Sequence, residues 1–194
     1  LSPIQPDVLP TNCHFMIADV EDKFSFSQAF DYIHSRYLFM HLTKDYCHVL
    51  KSIYDNLNPG GWFESHEVLV KVSAVDNTLE GTALERFSAL MLDAFEQLGR
   101  TPMQVVHLPR FMADVGFINV ENKLFTVPIG RWAKGEKQKL LGVMEMANVL
   151  KVFDGTAMLL FTQALGWTPS EVEKLLADVK NELLEGNIHA YATM

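Results

Sequence analysis

The chain has 194 residues, 48% of them hydrophobic and 21% charged, which suffices for one sizeable core and excludes a disordered tail or a fibrous repeat. Its 24 acidic residues against 16 basic ones give a net charge of −8, a poor balance for non-specific nucleic-acid binding, where phosphates need clustered Lys and Arg. Two cysteines, Cys13 and Cys47, are too few for a disulfide framework and form no CxxC or Cys/His cluster. They read as reduced thiols of an intracellular protein, cytoplasmic or nuclear. No apolar run reaches the ~18–20 residues of a membrane span. No signal peptide opens the chain, which begins at Leu1 rather than Met and is expected to be part of a longer polypeptide.

Residues 1–12, with three prolines, read as irregular chain. His14–Val20 (HFMIADV) is an apolar run expected to form a buried strand, and Phe30–His34 (FDYIH) a second. Between them lies a polar loop that carries Phe24 and Phe26. In Lys44–Leu57, residues Cys47, Leu50, Ile53, Tyr54 and Leu57 are spaced for one helix face. Asn58–Gly61 (NPGG) stops that helix and turns the chain, and Trp62–Val72 follows as a third strand. Strand, helix, turn and strand in this rhythm are α/β, with the helix as crossover between parallel strands.

Leu79–Leu98 is a long helix with Leu84, Phe87, Leu90, Met91, Ala94 and Leu98 on one face. Leu108–Val115 is a short helix ended by Gly116, and Ile118–Ile129 a fourth strand. Beyond Arg131 the chain reads as three helices, at 137–153, 154–165 and 169–185. The last opens on a capping box, with Thr168 as cap, Pro169 in the first turn and Glu171 three residues on, and Gly186 closes it. The organisation expected is a core over 1–130 with a helical cap over 131–194.

Ligands of open parallel sheets bind beyond the carboxyl ends of the strands. That selects Asp19-Val20-Glu21-Asp22, His34-Ser35-Arg36-Tyr37 and Glu64-Ser65-His66-Glu67. Asp19 reads equally as a ligand contact or as a loop cap. An isolated histidine such as His34 is more often a satisfied core residue than a catalyst. Arg36 has acidic neighbours to pair with in Asp19, Glu21 or Asp45. Glu64 and His66, two apart on a strand, share a face, which suits an acid/base pair and equally a solvated surface. The other histidines show no metal-ligand spacing, and no metal site is expected. Met144 and Met146 read as core packing. No phosphate loop, GxGxxG, GxSxG, HExxH or kinase motif is present.

LSPIQP, the DVED that ends the first strand, FDYIHSRYL and IYDNLNPGGWFESHE together resemble the fungal LaeA-like (TAM-domain) S-adenosylmethionine (SAM) methyltransferases. Leu98-Gly99-Arg100, PRFMADVGFINVE, VPIGRW, ALGWTPSEVEKLLADVKNEL and IHAY fit the same family. The resemblance implies a Rossmann-like class I methyltransferase sheet with a C-terminal helical cap, and SAM as cofactor. It implies that Asp19 accepts from the adenine amino group and that the Val20 backbone meets the ring edge, with Phe24 or Phe26 nearby. His34, Ser35 and Arg36 would lie beneath the methionine part and the methyl group. His34 is the first candidate acid or base, ahead of Glu64 and His66.

The family's glycine-rich first motif is not in this sequence, nor is its ribose-gripping acid, and the family places a last strand after the IHAY phrase. The sheet is therefore expected to be incomplete and SAM binding by these 194 residues weak. The function implied is methyl transfer, most simply to a small molecule, in fungal secondary metabolism or its regulation. Two alternatives stand beside it: a repurposed fold that cyclises or isomerises a natural product without SAM, and a non-catalytic regulatory subunit with a velvet-type protein partner. Neither a nucleic acid nor a membrane is expected as partner.

Overall fold

A computed structural model describes residues 6, 8–22, 26–43 and 45–194. Its centre is a parallel strand pair joined by a helix: β1 (Phe30–Arg36), α1 (Tyr46–Asp55) and β2 (Leu57–His66). Helix α1 starts where the Asp45 carboxylate accepts the Cys47 amide at 3.1 Å, satisfying an amide that the helix leaves open. Its buried side chains Tyr46, Val49, Leu50 and Ile53 recur at helical spacing. They pack with Phe39, Phe63 and Leu108 into one apolar cluster.

The NPGG turn lies inside β2. Phe30 pairs with Leu57 but Tyr32 with Trp62, so a gap of two residues on β1 faces five on β2. The excess is accommodated at Asn58–Gly61. A Cβ on Gly61 would stand 3.0 Å from the Asn58 carbonyl and 3.1 Å from that of Asp31, so no other residue fits without movement. The Asn58 side-chain amide donates to the Asp31 carboxylate at 2.8 Å and holds the bulge against β1.

The remaining elements are β3 (Ser73–Ala74), α2 (Ala83–Gln97), α3 (Leu108–Val115), β4 (Thr126–Pro128), α4 (Glu136–Ala164), α5 (Pro169–Glu185) and β5 (Ala190–Thr193). β5 runs antiparallel between β3 and β4 in a second small sheet. Against that sheet lie α2, α4 and α5, sharing a core of Leu84, Phe87, Phe95, Ala157, Phe161 and Val172 among others. The Phe87 and Phe153 rings stack at 4.0 Å between centroids. The capping box on α5 is formed as read, with Gly186 in the left-handed conformation at its end. Helix α4 meets the sheet end closely: a Cβ on Gly142 would lie 1.8 Å from the Gly130 carbonyl oxygen, and the Gly130 amide donates to the Gly142 carbonyl at 2.9 Å.

The mixed α/β architecture is the one expected; four local readings are corrected. His14–Val20 is not a strand. Its apolar pattern is right, but a strand exists only through a neighbour's hydrogen bonds, and no described strand runs beside it. Phe15, Met16 and Ile17 are exposed. The strand expected over Ile118–Ile129 contracts to Thr126–Pro128, the stretch that meets the four-residue β5. The two helices expected at 137–153 and 154–165 are one, because Val149, Phe153, Ala157, Leu160 and Phe161 continue a single packed face through Gly155. Finally, the AYAT of the IHAYAT phrase is itself the closing strand, β5.

Candidate functional site

Alternation along β1 and β2 sends two rows of side chains to opposite faces. One face is turned to α1 and carries Ile33, Ser35, Phe63 and Ser65. The other is open and carries Tyr32, His34 and Arg36 beside Trp62, Glu64 and His66. Register sets His34 opposite Glu64 and Arg36 opposite His66. The structure thus brings together the three residues singled out as candidate acids and bases. One Glu64 oxygen lies 2.7 Å from His66 Nε2, and the other accepts from the Tyr32 hydroxyl. The His34 and His66 rings meet edge to face at 4.9 Å, and Tyr32 stacks along His34.

The hydrogen bond from Tyr32, and then that from His66, hold the Glu64 carboxyl below the usual carboxylate range. The same bond, with the carboxylate it faces, pushes the Tyr32 hydroxyl up. The pair is therefore an ionised acceptor and a neutral donor at neutral pH. Donor atoms of His34, Glu64 and His66 all lie within 4.8 Å of one another, a set of two imidazoles and a carboxylate that suits a divalent metal. Spacing in sequence could not reveal it, since His34 joins the others across two strands.

Ser35, expected at the same site, faces the other way. Its hydroxyl bonds that of Ser65 at 3.0 Å, and Ser65 bonds Glu67 at 3.1 Å. What Ser35 offers the open face is backbone. The same Glu67 oxygen accepts from the Leu38 and Phe39 amides at 3.2 and 3.4 Å, fixing the turn that follows β1. Its other oxygen is buried and has no hydrogen-bond partner among the described residues. Burial pushes Glu67 up, against the pull of these bonds. Sequence reasoning gave Glu67 no role. The signal was its parity: it continues the inward row of Phe63 and Ser65, where a carboxylate is out of place.

Asp19 is exposed at a tight turn, its carboxylate accepting the Glu21 amide at 2.9 Å. Glu21 ties the loop to the start of α1, accepting from the Thr43 amide and hydroxyl at 2.6 and 2.8 Å. Val20 packs against the α1 cluster. The Glu21 backbone carbonyl also lies 3.1 Å from His48 Nε2 of α1, so Glu21 joins this stretch to α1 and its lead-in. Phe26 meets Phe30 edge to face at 4.8 Å, while Phe24 lies outside the described residues. Arg36 lies over the Tyr37 ring at 4.9 Å.

The family described as a methyltransferase domain matches residues 2–122. Methyltransferase pytC of Aspergillus terreus is 32% identical over 191 residues, 98% of this chain and 59% of that protein. The probable methyltransferase tdiE of Emericella nidulans is 29% identical over 90% of this chain and 55% of its own length. The secondary metabolism regulator laeA of Monascus pilosus is 27% identical over 98% of this chain and 53% of its own. The chain thus spans little more than half the length of these relatives. Among the described residues, no helix is long and apolar enough to cross a membrane.

Proposed function

The chain belongs to the methyltransferase-domain family, and from that premise we propose that it is the substrate-facing part of a SAM-dependent methyltransferase of fungal secondary metabolism. The carrying observation is the family match over residues 2–122, which embraces β1, β2 and every candidate residue. The residues present fit two ends of the cofactor by their chemistry. An exposed carboxylate at Asp19 suits the adenine amino group, beside the Val20 backbone, and the cation of Arg36 suits the methionine carboxylate.

Bound SAM supplies an electrophilic methyl on a sulfonium that leaves as a neutral thioether. What this chain's residues add is position and proton handling. His34 takes the proton that the acceptor atom gives up as it gains the methyl group. Glu64, held in the anionic form by Tyr32 and His66, fixes the orientation of the His66 ring that meets His34 edge to face. The acceptor is a small molecule, and the site is soluble and intracellular in this reading.

In the protein that carries this chain, His34→Ala should cut turnover at least tenfold while SAM affinity changes little. Methyl transfer from labelled SAM into fungal metabolite fractions measures the first, calorimetry the second. Failure of that whole protein to bind SAM would overturn the reading. That the relative laeA is a regulator of secondary metabolism supports a second reading, in which the fold acts through a velvet-type partner. Full biological complementation by the His34→Ala protein would favour it.

A further inference from the structure

A cleft of about 470 Å³ opens away from the sheet face, between the turn after β1, the end of α2 and the middle of α4. Pockets of this size hold small organic ligands. Phe95, Val152, Leu159 and Leu160 make its wall largely apolar. Into that wall are set His41, Arg100 and Lys151, and no acidic side chain lines it among the described residues. In a protein of net charge −8, three basic groups gathered without an acid is a local reversal.

Arg100 is the centre of the case. Its Nε is buried and has no hydrogen-bond partner among the described residues. With that atom closed to water the guanidinium is partly desolvated, and a partly desolvated cation that lines a cleft favours an anion there. Its backbone is held for that role: the Arg100 amide donates to the Phe95 carbonyl at 2.9 Å, and the Tyr46 hydroxyl donates to the next carbonyl, Thr101, at 3.1 Å. The His41 ring sits 5.8 Å from that of Phe95. Burial, then the charge of Arg100, keep His41 below the ordinary histidine range and so neutral, able to donate one hydrogen bond. The cleft therefore presents one partly buried cation, one neutral imidazole and an exposed lysine beside a largely apolar wall.

We propose that this cleft binds a small organic anion with an apolar body, its charged oxygen on Arg100 and its frame along α4. As the methyl acceptor's site, it rests on the reading above; as a binding site, it stands apart from SAM. Gly155 gives the means to test it without touching the core. It lines the cleft, and a Cβ there would meet no atom within 4 Å.

The test is calorimetric titration of the full 194-residue chain with octanoate and, separately, 1-octanol, two probes of equal length and different charge. Octanoate should bind at least tenfold more tightly than the alcohol. Arg100→Gln should remove that advantage and leave octanol unchanged, and Gly155→Leu should weaken both, with helix content checked by circular dichroism. Equal affinity for the two probes, octanoate binding unmoved by Arg100→Gln, or both unmoved by Gly155→Leu would overturn the proposal. If octanoate binds through Arg100 while the whole protein fails to bind SAM, the methyltransferase reading falls and the cleft remains. If methyl transfer proceeds without Arg100-dependent binding, the cleft falls and the methyltransferase reading remains.

Discussion

The open face of β1 and β2 and the cleft beside α4 both gather ionisable groups, but they leave them in opposite conditions. On the sheet face the groups satisfy one another: Tyr32 and His66 both serve Glu64, in contact with water. Such pairs in high dielectric add little to stability and set orientation instead. In the cleft the Nε of Arg100 has no hydrogen-bond partner among the described residues, and the wall beside it is largely apolar. The first arrangement is suited to passing protons, the second to gripping a ligand.

The largest expected effect sets the core behind the cleft against the open face. Phe161, fully buried on α4, should cost about 3–5 kcal/mol when replaced by alanine, through the cavity left against Phe87 and Trp167. Trp62→Ala, at 70% exposure on the sheet face, should stay within about 0.5 kcal/mol. Urea denaturation of both variants checks the contrast, and equal losses would break it. Gly155→Ala comes next. It should raise stability by about 0.5–1 kcal/mol, since the mid-helix glycine has room for a methyl group. Thermal melting measures that.

The smallest effect belongs to Tyr32→Phe. Glu64 lies below its ordinary value of 4.5 in the folded state, so its contribution is present above that value and fades as pH falls through the lowered one. Removing the Tyr32 hydroxyl should flatten that acid limb from its upper end, with a small loss of stability at pH 7 and none at low pH, where Glu64 is protonated in either protein. Carboxyl titration by NMR should show the Glu64 midpoint move upward. A midpoint that stays put would mean that Tyr32 does not set it.

What was legible in the sequence follows from how local each feature is. The Thr168 cap and the Gly186 stop depend on residues within a turn or two and were readable. The α1 face was read slightly rotated: Leu50 and Ile53 are buried as expected, but Tyr46 and Val49 complete the face in place of Cys47 and the exposed Tyr54, and Leu57 belongs to β2. Glu64 and His66 share a face by period alone. Adding His34 required the strand register, which the four-residue excursion at Asn58–Gly61 shifts. The cleft could not be read at all: His41, Arg100 and Lys151 come from three separate elements. The misreadings have the same root. HFMIADV has a strand's pattern without a strand's neighbour, and Gly155 has a breaker's identity inside a face that burial holds continuous.

The contact between Gly130 and Gly142 sets a mechanical scale for α4. Backbone touches backbone there with no side chain between, so α4 is fastened near its beginning at one point. Gly155 and Leu160 lie 13 and 18 residues further along, about 20–27 Å from the fastening at ~1.5 Å per residue. Beyond that point α4 is held by packing: Phe153 and Phe161 meet Phe87 of α2, and Ala157 and Leu160 are buried in the shared core. A tilt of about five degrees about the glycine contact would move the cleft wall by about 2 Å over that arm, so it is these packed rings, on the face of α4 turned from the cleft, that fix the width of the cleft.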